Sequence, residues 1–132
     1  MLPPLIAIAD DEVVILDMLD MLLAVSGYRT VSTRTAAAVP TLIQQHSPAL
    51  LILDLRMERR DSGWQVLDGL RADPTTRQLP VIICSAEWDT AARVQQRGDA
   101  YALALSKPFD PVQLLALVQQ ALDTAEARGG TL

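Results

Sequence analysis

The chain has 132 residues, of which half are apolar, and a formal net charge of −5. This length is typical of one domain and is sufficient to bury a core without disulfides or a structural metal. The single Cys84 excludes an internal disulfide, leaves no zinc-binding cysteine spacing and is typical of a reducing compartment. The acidic balance disfavours direct nucleic-acid binding, because a phosphate backbone would be repelled.

The sequence also lacks the features of a membrane or secreted protein. No stretch approaches the run of about eighteen apolar residues that a membrane-spanning helix requires, so we expect no membrane insertion. The apolar segment 1–9 has no basic start and leads directly into Asp10 and Asp11, which predicts a buried strand rather than a signal peptide. We therefore expect a soluble, cytoplasmic protein with one domain over residues 1–127 and a tail at 128–132.

Short apolar runs alternate with longer segments of helical period, a pattern typical of α/β proteins. The third run, Leu-Leu-Ile-Leu at 50–53, is continuous, as expected of a strand covered on both faces. The predicted strands are 5–9, 28–32, 50–53, 80–84 and 101–105. The predicted helices are 12–25, 36–46, 63–72, 88–97 and 111–127. These five βα units predict a doubly wound, five-stranded parallel sheet with right-handed crossovers.

Residues at the ends of the helical segments support these boundaries. Asp110 is a suitable cap for the last helix, and Pro111 fits its first position, where no backbone donor is missed. Gly27 and Gly98 are placed to end the first and fourth helices. Pro40 would remove a hydrogen bond inside the second helix, so we expect that helix to start late or to kink.

Polar residues cluster where the predicted strands end. In an open parallel sheet, ligands bind outside the carboxyl ends of the strands. The residues at that edge are Asp10 and Asp11 after the first strand, Asp54 after the third, Ser85 after the fourth, and Ser106 and Lys107 after the fifth. Each residue alone is compatible with a cap, a turn or a solvated charge. Their joint placement predicts a site.

The residue types at this edge indicate the chemistry of the site. Three clustered carboxylates raise the pKa of at least one member unless a cation is present. Oxygen ligands without His or Cys favour a hard ion, and Mg²⁺ suits two or three carboxylates that retain waters. Metal, Lys107 and Ser85 together would neutralise the oxygens of a phosphoryl group, which makes Asp54 the natural nucleophile.

With these motifs in this order, residues 5–127 resemble the receiver domains of two-component response regulators, of the chemotaxis response-regulator type. The resemblance rests on the Asp10–Asp11 pair, on Asp54 with Met57 three residues later, on Ser85–Ala86, and on Lys107-Pro108-Phe109. It implies a flavodoxin-like sheet of order 2-1-3-4-5 with five helices, and a cis peptide before Pro108.

The resemblance also implies roles for individual residues. Asp54 would accept phosphate from a phosphohistidine, and Asp11, Asp54 and the backbone carbonyl of Arg56 would hold Mg²⁺. Asp10 would act largely through a metal-bound water. Ser85 would bind a phosphoryl oxygen, and Lys107 would pair with it.

Three departures from the family pattern affect these expectations. Glu58 stands where the family usually has Pro, and Gly63 follows Asp54 by nine residues instead of eight, so the loop is one residue longer. Two additional residues between Gly98 and Lys107 leave the start of the fifth strand open. Ala104 occupies the position of the family's usual switch aromatic.

These observations lead to a functional prediction and two alternatives. We predict a phosphoacceptor receiver that is not a conventional turnover enzyme, although it catalyses its own phosphorylation and dephosphorylation. The partners would be a sensor histidine kinase or phosphotransfer protein and a downstream protein, and a homodimer is left open. One alternative is a pseudo-receiver that binds partners without being phosphorylated. The other is a Mg²⁺ phosphatase of the haloacid-dehalogenase type, which ranks low because segment 9–12 lacks the Asp-x-Asp spacing.

Two charged side chains lie beside the predicted acceptor. Arg56 follows Asp54 by two residues, and Glu87 follows Ser85 by two residues. Each would project from a loop at the carboxyl edge of adjacent strands. The sequence leaves open whether they pair across the site or remain two solvated charges.

Overall fold

A computed structural model of the chain describes residues 2–129, and the side chains of residues 2–126. Strands and helices alternate as predicted. The strands are β1 (Leu5–Ala9), β2 (Arg29–Thr33), β3 (Leu50–Asp54), β4 (Val81–Ser85) and β5 (Ala102–Ser106). The helices are α1 (Val13–Val25), α2 (Val39–His46), α3 (Ser62–Ala72), α4 (Thr90–Gln96) and α5 (Pro111–Gly129).

The five strands form one parallel sheet in the order β2-β1-β3-β4-β5, which confirms the predicted fold class and strand order. The register aligns the carboxyl ends of the strands. Asp54 at the end of β3 lies opposite Cys84, and Ser85 at the end of β4 lies opposite Ser106. Residues that follow different strands are therefore brought to one edge.

Hydrophobic cores cover both faces of the sheet, because successive side chains of a strand point to opposite sides. Strands β3 and β4 are buried along their whole length. One core joins the sheet to α2, α3 and α4, and the other joins it to α1 and α5. The continuous apolar run at 50–53 thus belongs to a strand covered by helices on both sides, as the sequence predicted.

The structure shifts several predicted boundaries by one to a few residues. Strand β2 begins at Arg29, because Tyr28 takes part in the turn that caps α1. Its N–H donates to the Leu23 carbonyl at 2.9 Å, while the N–H of Gly27 donates to the Ala24 carbonyl at 3.0 Å. This pair of bonds is a Schellman motif, with Gly27 at φ 93°. Strands β4 and β5 likewise begin and end one residue later than predicted, and β3 extends to Asp54.

Pro40, Asp110 and Gly98 mark helix ends as the sequence predicted. Helix α2 begins at Val39, so Pro40 lies in its first turn, where its missing N–H costs no internal bond. Helix α3 begins at Ser62, and the side chain of Asp110 accepts a hydrogen bond from the N–H of Val112 at 2.9 Å at the start of α5. Helix α4 ends before Gly98, whose φ is 64°.

The carboxyl-terminal helix extends slightly further than the sequence indicated. It ends at Gly129, two residues beyond the predicted end at 127, so it takes up part of the predicted tail. The remaining tail residues, 130–132, lie outside the described residues. Among residues 2–129, no helix has the length and apolar character to cross a membrane.

Arg71 ties the end of α3 to the loops that precede β4 and β5. Its guanidinium donates to the carboxylate of Asp99 at 2.7 Å and to the carbonyls of Leu79 at 2.8 Å, Thr76 at 3.3 Å and Tyr101 at 3.4 Å. The side chains of Arg71 and Asp99 are only 17% and 9% exposed, so water screens this pair weakly. These contacts anchor the segment that precedes β5, whose start the sequence left open.

Replacing Arg71 with Met is expected to lower the free energy of unfolding by about 2 kcal/mol, because a charged, half-buried network loses its donor. Urea denaturation measures this loss. The control is Asp68→Asn, which removes an exposed ion pair between Asp68 and Arg97 and is expected to cost less than about 1 kcal/mol. Equal effects of the two variants would contradict the role given to Arg71.

Candidate functional site

Four polar residues from four places in the chain meet at the carboxyl edge of the sheet. Asp10 follows β1, Asp54 ends β3, Ser85 ends β4, and Lys107 follows β5. Asp10, Asp54 and Ser85 are 2%, 5% and 2% exposed, although each is polar. Burial of polar groups is costly unless they have partners, so this clustering requires compensating contacts.

Lys107 supplies those contacts. Its ammonium donates to Asp10 Oδ2 at 2.8 Å and lies 3.4 Å from Asp54 Oδ1. A third carboxylate, Glu12, lies 3.8 Å from the same nitrogen, and its side chain is 63% exposed. The peptide between Lys107 and Pro108 is cis, as the resemblance implied. One partly buried cation thus links the carboxylates that follow β1 to the carboxylate that ends β3.

The electrostatics of the two buried partners follow from this arrangement. Burial, reinforced by the negative charge of Asp10, raises the pKa of Asp54 to about 6, although Lys107 and the N–H of Arg56 oppose the shift. Burial would lower the pKa of Lys107, but its hydrogen bond to Asp10 and the charge of Asp54 outweigh burial and raise it. The pKa of Asp54 is thus raised first by burial and second by the repulsion from Asp10.

The acidic residues after β1 form a group with oxygen ligands close enough to share a cation. Carboxylate oxygens of Asp10, Asp11 and Glu12 lie within 4.8 Å of one another, Asp10 being buried and the other two exposed. The Lys107 ammonium contacts both Asp54 and Asp10, which is a member of this group. All of these donors are hard oxygens at a partly open edge, which fits Mg²⁺. Glu12 was not among the predicted ligands, although its place in the acidic run 10–12 was a visible signal.

Ser85 ends β4, and the residues after it, 86–89, form the β4–α4 loop. The Ser85 hydroxyl oxygen accepts a hydrogen bond from the N–H of Glu87 at 2.9 Å, and its carbonyl accepts one from the N–H of Lys107 at 2.8 Å. The intervening Ala86 is exposed. Ser85 therefore connects β4, the Lys107 backbone and the start of this loop.

Glu87 lies between two arginines. Its carboxylate is 4.0 Å from Arg56 Nε and 3.8 Å from Arg93 Nη1, so the structure brings the Arg56–Glu87 pair to ion-pair distance. Arg93 also lies over the ring of the buried Trp64, with 4.7 Å between its Cζ and the ring centroid. The cation–π contact joins α4 to α3. The contacts of Arg93 with Glu87 and Trp64 were not predicted from the sequence.

Strand β5 carries a small residue, Ala104, where the receiver pattern usually has an aromatic side chain. Ala104 is partly buried and packs with the core that contains Val94 and Ala102. An open cavity of about 440 Å³ lies beside it, lined by α4, β5 and the loop between them. Trp88 in the β4–α4 loop is 95% exposed. No aromatic side chain of β5 lies at this position, since Ala104 occupies it.

The longer loop after Asp54, residues 55–61, is held by hydrogen bonds at two places, although most of its residues are exposed. At its end, the N–H of Gly63 donates to the Leu55 carbonyl at 2.8 Å. At its centre, the Glu58 carboxylate accepts hydrogen bonds from the N–H groups of Ala36 at 2.7 Å and Ala37 at 3.1 Å. These bonds, that of Ala36 first, lower the pKa of Glu58. Glu58, which replaces the usual Pro, is therefore a hydrogen-bond acceptor for the loop before α2.

Comparison with known proteins identifies related chains. The family model of the response regulator receiver domain matches residues 6–119. Response regulator Rre1 of Synechocystis sp. is 33% identical over 95% of this chain and 54% of its own length. Transcriptional regulatory protein KdpE of Mycobacterium tuberculosis is 35% identical over 89% of this chain and 50% of its own length. The chain thus spans about half the length of these curated relatives.

A solved structure supports the fold independently. The CheY-like response regulator receiver domain protein from Methanospirillum hungatei JF-1 superposes with a TM-score of 0.83 at 23% identity, over 96% of this chain and 99% of that one. Since the family model spans most of the residues that build the sheet and the site, this chain belongs to the receiver-domain family of two-component response regulators.

Proposed function

We propose that this receiver domain is a phosphoacceptor. Asp54 takes a phosphoryl group from a phosphohistidine of a sensor histidine kinase or phosphotransfer protein, with Mg²⁺ as cofactor, and the phosphorylated domain acts by contact with a downstream protein. The observation that carries the proposal is the position of Lys107, whose ammonium contacts Asp10 and Asp54 at a buried edge. Response regulators interact with histidine kinases, and receiver domains generally bind Mg²⁺. Membership of the family therefore supports both the kinase partner and the Mg²⁺ cofactor.

Groups at this edge supply what the phosphoryl transfer requires. A carboxylate oxygen of Asp54 forms the bond to phosphorus, and the phosphorus–nitrogen bond of the donor histidine breaks. The imidazole nitrogen leaves with the electron pair and takes up a proton. Lys107 balances charge on the phosphoryl oxygens, and the Ser85 hydroxyl, whose oxygen accepts from the N–H of Glu87, donates its hydrogen to one of them.

The metal requirement follows from the donors. The carboxylates of Asp11 and Asp54 and the backbone carbonyl of Arg56 would hold Mg²⁺, and Asp10 would act largely through a metal-bound water. When bound, the ion supplies positive charge that offsets the repulsion between these carboxylates and the incoming phosphoryl group. The raised pKa of Asp54 supports this assignment, because a nearby cation would favour its ionised, nucleophilic form.

Phosphorylation by a small donor tests the proposal. Incubation with acetyl phosphate and Mg²⁺, followed by intact-mass measurement, is expected to add one phosphoryl group to the wild-type chain. Asp54→Asn should abolish the addition, while the matched control Asp68→Asn, on the exposed face of α3, should retain it. No addition to wild type would favour the pseudo-receiver, and sustained turnover of a small phosphomonoester would favour the phosphatase. Addition that persists in Asp54→Asn would place the acceptor elsewhere.

The lifetime of the phosphorylated state should depend on Arg56 and Glu87. Their side chains approach to 4.0 Å across the mouth of the site and are 59% and 23% exposed. Such a pair contributes little to stability, but it can hinder the in-line approach of water to phosphorus. Replacing both residues with Ala is expected to speed loss of phosphate from Asp54 by about threefold to tenfold, which intact-mass time courses would measure.

Arg60→Ala is the matched control for this prediction, because it removes an exposed arginine from the same loop. Its dephosphorylation rate should equal that of wild type. If Arg56→Ala, Glu87→Ala and the double variant also match wild type, the two side chains do not shield the phosphoryl group.

The conformational response should travel through α4. Because Ala104 has no aromatic ring to move, we expect the change to begin with Ser85 and the β4–α4 loop. That loop contains Glu87, which contacts Arg93 on α4. Amide exchange compared with and without phosphorylation should therefore change over residues 85–96. Changes confined to α1 and α2 would contradict this route.

A further inference from the structure

The loop between β2 and α2, residues 34–38, contacts the segment that carries the first acidic residues. Arg34 donates from Nη2 at 3.2 Å and from Nε at 3.4 Å to the backbone carbonyl of Asp11. A guanidinium that donates two hydrogen bonds to one carbonyl restricts the orientation of that peptide. The carboxylate of Asp11 projects from this segment, which Asp10 also supports by accepting a bond from the N–H of Glu12 at 2.9 Å.

The same loop also contacts the segment after Asp54. The N–H groups of Ala36 and Ala37 donate to the two carboxylate oxygens of Glu58, at 2.7 Å and 3.1 Å. These are charge-assisted bonds to a side chain 21 or more residues away in sequence. Glu58 lies two residues after Arg56, whose carbonyl is a proposed metal ligand. Loop 34–38 therefore contacts both segments that would contribute ligands to Mg²⁺.

We propose that loop 34–38 is a brace between these two segments, and that Arg34 and Glu58 are positioning residues for the metal site. The inference rests on the proposed function, since it concerns the same Mg²⁺. Asp11 and Arg56 are both exposed, so packing alone restrains them weakly. The brace links their segments before metal arrives, and less conformational entropy is then lost when the ligands converge.

The affinity for Mg²⁺ tests the brace. Titration of the protein with MgCl₂, followed by backbone amide NMR signals, gives a dissociation constant for each variant. Arg34→Ala and Glu58→Ala are each expected to weaken Mg²⁺ binding by about tenfold, as is typical when a residue that orients ligands is lost. The double variant should be little weaker than either single variant, because one broken contact already separates the two segments. Glu58→Gln should recover part of the affinity, since its amide oxygen can still accept from Ala36.

Two controls separate this role from a general effect on stability. Arg29→Ala removes a guanidinium that donates to the Pro3 carbonyl at 3.0 Å at the opposite end of β2. Asp73→Ala removes an exposed carboxylate that accepts two hydrogen bonds from Thr75, both at 2.9 Å. Both controls should bind Mg²⁺ like wild type. In metal-free protein, amide exchange over residues 10–12 and 55–58 should be faster in Arg34→Ala and Glu58→Ala than in either control.

The outcomes distinguish the brace from the proposed function. Failure of wild type to bind Mg²⁺ would overturn the proposed function. Wild-type affinity in Arg34→Ala and Glu58→Ala, or fully additive losses in the double variant, would overturn the brace and leave the phosphoacceptor proposal standing. Acetyl phosphate provides a second measure: the variants should require more Mg²⁺ but reach the wild-type rate of phosphorylation at saturation. A reduced rate at saturation would show that the residues act on more than metal binding, which also contradicts the brace.

Discussion

Gly63→Ala is expected to lower the free energy of unfolding by about 3 kcal/mol, a large effect for one methyl group. A Cβ at this position would lie 2.5 Å from the Leu55 Cα and 2.8 Å from the Asp54 carbonyl oxygen. Both are backbone atoms of the segment that leaves β3, so neither can move without displacing the candidate acceptor. The close approach is maintained by the hydrogen bond from Gly63 N–H to the Leu55 carbonyl at 2.8 Å.

Gly69 provides the matched control on the same helix. A Cβ there would have no heavy atom within 4 Å, and the residue lies inside α3. Gly69→Ala is therefore expected to raise stability by about 0.5–1 kcal/mol, because alanine is the better helix former. Urea denaturation of both variants measures the contrast. A Gly63→Ala protein as stable as wild type would show that the longer loop yields to accommodate the methyl group.

The contribution of Asp54 to the stability of the metal-free protein should fall as pH rises from about 4 to about 6. The pKa of Asp54 is raised in the folded chain from 3.8 to about 6, chiefly by burial. Between these values the folded state binds more protons than the unfolded state, so the slope of unfolding free energy against pH is negative. The stabilising contribution of protonated Asp54 is present at the low end of this window and is lost above the folded pKa.

Asp54→Asn cannot ionise at this position, so its unfolding free energy should not show the fall with pH that Asp54 causes. At neutral pH without metal, the variant is expected to exceed wild type in stability by as much as about 3 kcal/mol. Chemical denaturation in EDTA at several pH values measures the difference between the two proteins. Asp17→Asn is the control, because it removes an exposed carboxyl group on α1. A constant difference between Asp54→Asn and wild type across the window would show that burial does not raise the pKa of Asp54.

Local patterns in the sequence determined the elements and the edge at which the site lies. The apolar run 50–53 indicated a strand covered on both faces, and the structure buries β3 completely. Asp110 and Pro111 marked the start of α5, and Pro40 correctly predicted a late start for α2. These predictions succeeded because periodicity, capping and proline geometry act over a few residues. The strand order came from the resemblance to receiver domains, and the structure confirms it.

Only the tertiary structure decided which side chains meet within that edge. Lys107 and Asp10 are 97 residues apart in sequence, and Glu58 accepts a hydrogen bond from the N–H of Ala36, which is 22 residues away in sequence. Such contacts depend on sheet register and loop conformation, which no short pattern records. The raised pKa of Asp54 has the same origin, because its main cause is burial by other elements. The sequence by itself determined the fold class and the residue types at the edge, since both follow from local periodicity. The partners and protonation of those residues were decided by long-range packing.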